Sequence, residues 1–222
     1  MVHVAMFAKH WQAGKVKTRL ADKIGFENSS VIYLGFLRHL TSKLCETGQK
    51  RSIIYAPADA KDVFANNFGE HWQFQPQSSG GLGERMANFF RENLQRDPKV
   101  VLIGSDTPDI TPARIQAAAD LLDKNDVVLG PSLDGGYYLI AMRTMNESIF
   151  QDVEWSTETV LEQTIEKLKT TETSYDLLPP MQDVDMFPEL VTLQEKLEAM
   201  SDRDELDDRL LELLNPITSE FA

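Results

Sequence analysis

The feature that most restricts this chain is the repeated alternation of short apolar runs with longer amphipathic segments. VHVAMFA (2–8), RSIIYA (51–56), residues 72–76, KVVLIG (99–104), DVVLGP (126–131) and YYLIAM (137–142) read as strands. Apolar residues at helical spacing mark 29–46 (Val31, Leu34, Leu37, Leu40, Leu44), with further helices at 59–67 and 82–96. Thr111 as N-cap and Pro112 as first helical residue open another, which runs to about Lys124. A helix from Ser156 to about Lys169, a short segment near 174–178 and two acidic amphipathic helices at about 186–199 and 202–214 complete the order. Strands that alternate with helices predict an α/β fold in which a mainly parallel sheet is covered on both faces. Ligands of such sheets bind beyond the carboxyl ends of the strands.

Composition narrows the functional classes. A net charge of -13 repels nucleic acid and anionic lipid unless a local basic patch overrides it, so neither is expected as a partner. No apolar run approaches the roughly 20 residues of a transmembrane helix, and the N-terminus lacks a basic stretch followed by a long apolar core. A cytoplasmic location is the expectation. The lone Cys45 lies in an amphipathic stretch and reads as a packing thiol.

Three loops carry the candidate chemistry, and each follows a strand. KHWQAGKVKTRL (9–20) holds Lys9, Lys15, Lys17 and Arg19 with no acid between them, a local reversal of sign in a chain of 35 acids. With Gly14 permitting close backbone approach, the loop suits a polyphosphate, although a solvated basic loop has the same composition. It is not a P-loop, because Lys17-Thr18 lacks a glycine at 16, and GxGxxG is absent. In VVLIGSDTPDIT (100–111), Asp106 stands just past an apolar strand, where it could ligate Mg²⁺ or Mn²⁺ or cap a turn before Pro108; Asp109 is a weaker candidate. In QDVDMF, Asp183 and Asp185 alternate as in a strand, which would point both carboxylates to one side; Asp185 could instead cap the next helix.

GPSLDGGYYLI (130–140) places Asp134, Gly135 and Gly136 between two strands, as a hairpin turn and also as a candidate site wall. Alternation lets at most one of Tyr137 and Tyr138 face that wall. Trp155 before a helix could stack on a sugar or pack in the core. Of the histidines, only His10 lies in a candidate loop; His3 and His39 receive no role.

FAKHWQAGKVKTRL, SGGLGERM, IGSDTP, GPSLDGGYYLI, WSTETV and DVDMFPEL, in this order over residues 2–195, resemble the radical-SAM/selenodomain-associated transferases, some assigned as arsenosugar-biosynthesis glycosyltransferases. These are similar to glycosyltransferase-A (GT-A) enzymes of the nucleotide-diphosphosugar transferase superfamily, and more distantly to molybdenum-cofactor guanylyltransferase and 2-phospholactate guanylyltransferase. The resemblance implies a GT-A-like three-layer α/β/α sandwich over 1–222, with 200–222 an accessory helical extension outside it. It implies that Lys9, Gly14, Lys17 and Arg19 face nucleotide phosphates and that Gly81, Leu82, Gly83 and Arg85 lie beside base or ribose. It also implies that Asp106, completed by Asp183 or Asp185, holds the metal. Asp134, Gly135, Gly136, Tyr137 and Trp155 would border the sugar or acceptor. One departure is HWQAG (10–14), where the family has prolines near its glycine.

The function expected is metal-dependent transfer from a nucleotide-activated donor, an NDP-sugar, to a small acceptor. Asp134, Lys17 and Arg19 would be its catalytic groups. Nucleotidyl transfer from an NTP with pyrophosphate leaving is the alternative, and a non-catalytic nucleotide-binding regulator is the third.

Overall fold

A computed structural model describes residues 1–221. The first half of the chain forms β1 (Val2–Lys9), α1 (Thr18–Ile24), α2 (Phe26–Lys43), β2 (Lys50–Ala56), α3 (Lys61–Phe68), β3 (Gln73–Pro76), α4 (Leu82–Asn93) and β4 (Lys99–Ile103). The second half forms α5 (Pro112–Leu121), β5 (Val127–Pro131), β6 (Tyr137–Met142), a 3₁₀ turn (Glu147–Phe150), α6 (Val160–Thr170), β7 (Tyr175–Leu177), α7 (Phe187–Ala199) and α8 (Glu205–Phe221). Among the described residues the seven strands make one sheet, ordered β3-β2-β1-β4-β6-β5-β7. β1 pairs in parallel with β2 and β4, β2 with β3, and β5 with β7. Only β6 runs antiparallel, to both of its neighbours, since the turn at Asp134 joins it to β5 as a hairpin.

The apolar runs are continuous because the strands are covered on both sides. β4 sends Val101 and Ile103 into the layer built by α2, α3 and α5, and Val100 and Leu102 into the layer built by α4 and α6; all four are buried. A third cluster lies outside α2. There Leu20 and Ile24 of α1 and Ile32 and Phe36 of α2 meet Leu190, Leu193 and Leu197 of α7 and Leu210, Leu214 and Ile217 of α8. Each such side chain contributes roughly 2 kcal/mol of burial, enough to hold the C-terminal helices on the sandwich. Among the described residues no helix is long and apolar enough to cross a membrane.

The departures from the sequence reading have local causes. α1 occupies part of what reads as a loop: in seven residues only Leu20, Ala21 and Ile24 are buried, too short a run to show a period. α2 spans 26–43 instead of 29–46. α6 starts at Val160 because Ser156 has φ 67, which a right-handed helix cannot accept. α8 continues through Pro216 to Phe221 instead of ending at 214. Thr111 caps α5 as expected, its hydroxyl accepting from the Arg114 N–H.

The start of β1 creates a testable pH dependence. His3 is buried, with Nε2 2.8 Å from Ser52 Oγ and Nδ1 3.0 Å from Asp97, which also pairs with Lys50 at 2.7 Å. Burial and then the Lys50 charge lower its pKa from 6.5 to about 4, against the opposing pull of Asp97. Between those values the unfolded chain binds a proton that the folded chain refuses. Stability present above pH 6.5 is therefore lost as pH falls toward 4. Urea unfolding at pH 7 and pH 5 should show His3 contributing a loss of about 2 kcal/mol, and His3→Gln should lack that part of the slope. Equal slopes in the two proteins would refute a neutral buried His3.

Candidate functional site

The carboxyl ends of β1, β4 and β5 and the start of β6 share one edge of the sheet, and a cavity of about 780 Å³ opens there. This is where the geometry of a parallel sheet collects loops. Lys9, Lys15, Lys17 and Arg19 reach it from the loop after β1, and Leu82 and Arg85 from α4. Asp106 reaches it from the loop after β4, Asp134 and Gly136 from the β5–β6 turn, Trp155 from the segment before α6, and Asp183 and Asp185 from the segment before α7. The basic loop and the mid-chain carboxylate therefore meet in one space.

Lys17 is the hub. Its backbone is in the left-handed region, φ 47 and ψ 44, a conformation that costs about 1 kcal/mol or more for a residue with a side chain. Its ammonium donates to the Val184 carbonyl at 2.7 Å and to Asp185 Oδ1 at 3.0 Å, and it forms an ion pair with Asp106 Oδ1. The side chain is only 2% exposed, while those of Asp106 and Asp185 are 44% and 37% exposed. Burial pulls the ammonium pKa down, but Asp106 and Asp185 outweigh it and hold it above its ordinary value. Arg19, exposed, approaches Asp185 Oδ2 at 3.6 Å.

The acidic segment is strapped to the β4 loop. The Val184 N–H donates to the Asp106 carbonyl at 2.8 Å, and the Thr107 hydroxyl donates to Asp183 Oδ1. Burial pushes the Asp183 carboxyl up to about 7, with Thr107 opposing and Asp106 and Asp134 reinforcing the rise. Residues 182–185 lie outside the sheet, yet both carboxylates border the cavity as the alternation implies. Asp185 does not cap α7. The Glu189 carboxylate takes that role, accepting from the Asp185 and Met186 N–H groups at 2.7 and 2.6 Å, which leaves the Asp185 carboxylate to Lys17.

At the hairpin, Asp134 accepts from the Ser132 hydroxyl and, at 3.0 Å, from the Gly136 N–H, so turn and cavity wall are one feature. Tyr137 packs under α4 and α6 and Tyr138 under α2 and α5, yet both border the cavity, where alternation alone allows at most one. Trp155 does both things considered for it: it borders the cavity, and its ring packs edge-on to Tyr137 with centroids 6.4 Å apart.

Gly14, Gly81, Gly83 and Gly135 do not line the cavity, and each glycine has a backbone or packing reason instead. Gly14 turns the chain at φ 77. The Gly81 N–H donates to the Glu84 carboxylate at 2.8 Å. A methyl at Gly83 would stand 2.6 Å from the Phe150 carbonyl oxygen and would clash with Nε1 and Cε2 of the Trp155 ring. His10 is also outside, its ring 5.1 Å from that of Trp11.

Two contributors escape the sequence. The Tyr33 hydroxyl, buried beneath the cavity, accepts from the Lys9 N–H at 3.0 Å and lies 2.8 Å from Ser105 Oγ, which ties the β1 and β4 loops together. Burial, then nearby Asp106, pushes this phenol up to about 12. Gln77 donates to the Ile54 and Ala8 carbonyls at 2.9 and 3.3 Å, and its Oε1 accepts from Arg85 Nη1 at 3.3 Å. Neither residue belongs to a motif or to the apolar stripe read for that helix, so nothing in the sequence singles them out.

Among the described residues no three His, Cys, Asp or Glu side chains form a metal cage. Mg²⁺ ordinarily needs only one or two carboxylates beside water and phosphate oxygens. Asp106 and Asp185, hard oxygen donors open to the cavity with Asp183 behind them, fit that sparser shell.

Solved structures share this architecture. A Desulfovibrio desulfuricans G20 protein, provisionally named a nucleotide-diphospho-sugar transferase, is 28% identical with a TM-score of 0.90, over 99% of this chain and 97% of its own. A cytidylyltransferase from Leptospira borgpetersenii (15% identity, TM-score 0.53, 99% and 96% covered) matches in fold alone. So does a nucleotidyl transferase from Methanothermobacter (11%, 0.57, 88% and 97%). The α/β sandwich is thus the one found in nucleotide-diphospho-sugar transferase structures. No curated protein matches in sequence. The family model described as "uncharacterized protein conserved in bacteria (DUF2064)" matches residues 40–157, a span that includes Arg85, Asp106, Asp134 and Trp155. With more than half of its length in that match, the chain belongs to the DUF2064 family.

Proposed function

We propose that this chain is a nucleotide-utilising transferase that moves a glycosyl group from an NDP-sugar to a small acceptor, with residues 1–222 working as one unit. The observation that carries the reading is the meeting of the exposed cations Lys15 and Arg19 and the half-buried Arg85 with the carboxylates Asp106, Asp185 and Asp134 around one cavity. The likeness to the Desulfovibrio protein and the six ordered motifs support a sugar-nucleotide donor of the kind used by arsenosugar-biosynthesis glycosyltransferases.

In this reading Lys15 and Arg19 neutralise the diphosphate as it leaves, and Arg85, held by Gln77, lies beside the nucleoside. Asp106 and Asp185 would hold Mg²⁺ or Mn²⁺, which when bound supplies further positive charge to the phosphate oxygens. Asp134, its carboxylate fixed by Ser132 and Gly136, orients the acceptor hydroxyl and takes its proton.

The test is a thermal-shift and product assay with Mn²⁺, the four NDPs, NDP-sugars and NTPs. A nucleoside diphosphate should raise Tm only with Mn²⁺ present, and the shift should shrink in Asp106→Ala. Equal shifts in both proteins would refute the site. Release of NDP from a sugar nucleotide supports glycosyl transfer, while pyrophosphate release from an NTP would replace it with nucleotidyl transfer.

A further inference from the structure

We propose that Lys17 is an internal counter-ion for Asp106 and Asp185 that competes with a divalent cation for their oxygens, leaving the donor phosphates to Lys15 and Arg19. The inference rests on the metal-dependent reading above and reverses the role that the sequence suggests for Lys17.

The argument begins with donor counting. A lysine ammonium has three N–H donors. Around Lys17 Nζ stand three acceptors, the Val184 carbonyl at 2.7 Å, Asp185 Oδ1 at 3.0 Å and Asp106 Oδ1, and the side chain is 2% exposed. Each donor has a partner and the side chain is almost closed to solvent, so a phosphate arriving in the cavity finds this charge already engaged by carboxylates. Val184 and Asp185 lie 167 and 168 residues further along the chain, so Lys17 also pins the C-terminal segment to the β1 loop. The left-handed backbone at Lys17 aims the side chain inward, away from the run of its exposed neighbours Lys15, Thr18 and Arg19.

Those neighbours have what Lys17 lacks. Lys15 is exposed, borders the cavity and makes no ion pair among the described residues. Arg19 has a 67% exposed side chain and only the long 3.6 Å approach to Asp185. With Lys9, which is likewise exposed, borders the cavity and makes no ion pair among the described residues, they are the cations able to meet a diphosphate.

Competition implies coupling. If the carboxylate oxygens are engaged elsewhere, Lys17 is left as a buried ammonium with one carbonyl partner, an arrangement that is costly until other negative charge arrives. A nucleotide's phosphates bring that charge, so cation and nucleotide should each strengthen the binding of the other by the same factor. Lys17 is thus a positioning residue that discourages cation uptake ahead of the nucleotide.

The experiment is a Mn²⁺ titration followed by electron paramagnetic resonance on wild type, Lys17→Met and Lys15→Ala, first with Mn²⁺ alone and then with UDP, GDP, CDP or ADP. Lys17→Met should bind Mn²⁺ alone more tightly than wild type by about 10- to 100-fold, the range over which neighbours of metal ligands tune affinity. Lys15→Ala should bind Mn²⁺ alone as wild type does but lose nucleotide affinity. Lys17→Gln carries the same expectation as the methionine variant should that one fail to fold. Equal or weaker Mn²⁺ binding by the Lys17 variants, with nucleotide-dependent binding intact in wild type, overturns the counter-ion role alone. Failure of every protein to take up Mn²⁺ with any nucleotide overturns the metal-dependent reading as well.

Discussion

Asp106→Asn is expected to lower kcat by about 10²–10³ while the protein stays folded, the loss typical when one preorganised electrostatic group is removed from a site of charge development. The substitution keeps the shape of the side chain. It also spares the main-chain bond from the Val184 N–H to the residue 106 carbonyl, so the β4 loop and the acidic segment remain joined. Lys17 retains Asp185 and the Val184 carbonyl as partners, and the Asp106 carboxylate is 44% exposed, so neither residue is stranded without solvent or partner. Activity and stability should therefore separate: circular dichroism and Tm near those of wild type, turnover nearly gone. A variant with normal kcat would remove Asp106 from the chemistry. A variant that unfolds would make it a structural residue.

The sequence displays the sheet better than the site. Strands such as β4 are legible because burial on both faces demands apolar residues at every position, and Val100 to Ile103 satisfy it. The β5–β6 hairpin is legible from Asp134-Gly135-Gly136. What the sequence does not announce is that β6 lies between β4 and β5, which sets the turn beside the Asp106 loop. The sign of charge at residues 9–20 is legible, but the partners of those charges are not. Lys17 reads like Lys15, and they differ only because three acceptors from distant segments close around one of them. Glycines mislead for a related reason. Gly83 and Gly135 look like room for a ligand, whereas the space they leave is filled by the protein's own Trp155 and Glu158. Tyr33 shows the converse: a buried aromatic outside the apolar stripe read for its helix, whose hydroxyl holds the ends of two site loops.

Gly135→Ala should be the most damaging single-methyl change at the hairpin. Gly135 has φ 91, a conformation that a residue with a Cβ enters only at a cost of about 1–3 kcal/mol. The methyl would also lie 2.5 Å from the Glu158 carbonyl carbon and 2.6 Å from its Cα, which are backbone atoms that cannot rotate away. Relief requires the 155–159 segment to withdraw, and that strains the bond from the Leu161 N–H to the Gly135 carbonyl, now 2.9 Å. Strain and clash together should exceed about 3 kcal/mol, lowering Tm by about 10 °C for a chain of this length. Activity should fall with it, because Trp155, Thr157 and Glu158 border the cavity that the segment would vacate. Gly136→Ala is the control one residue away. Its methyl would meet only Asp134 Oδ1 at 3.3 Å and Ser132 Oγ at 3.4 Å, both side-chain atoms, and its φ is not in the left-handed region. That variant should keep its Tm and change kcat through the aim of the Asp134 carboxylate. The two glycines thus separate the uses of one turn: the first lets two segments of backbone pass, and the second leaves room for the Asp134 carboxylate at the cavity wall. If both variants melt together with wild type, the close approach of Glu158 does not govern the hairpin; if Gly136→Ala turns over normally, the orientation of Asp134 does not govern the reaction.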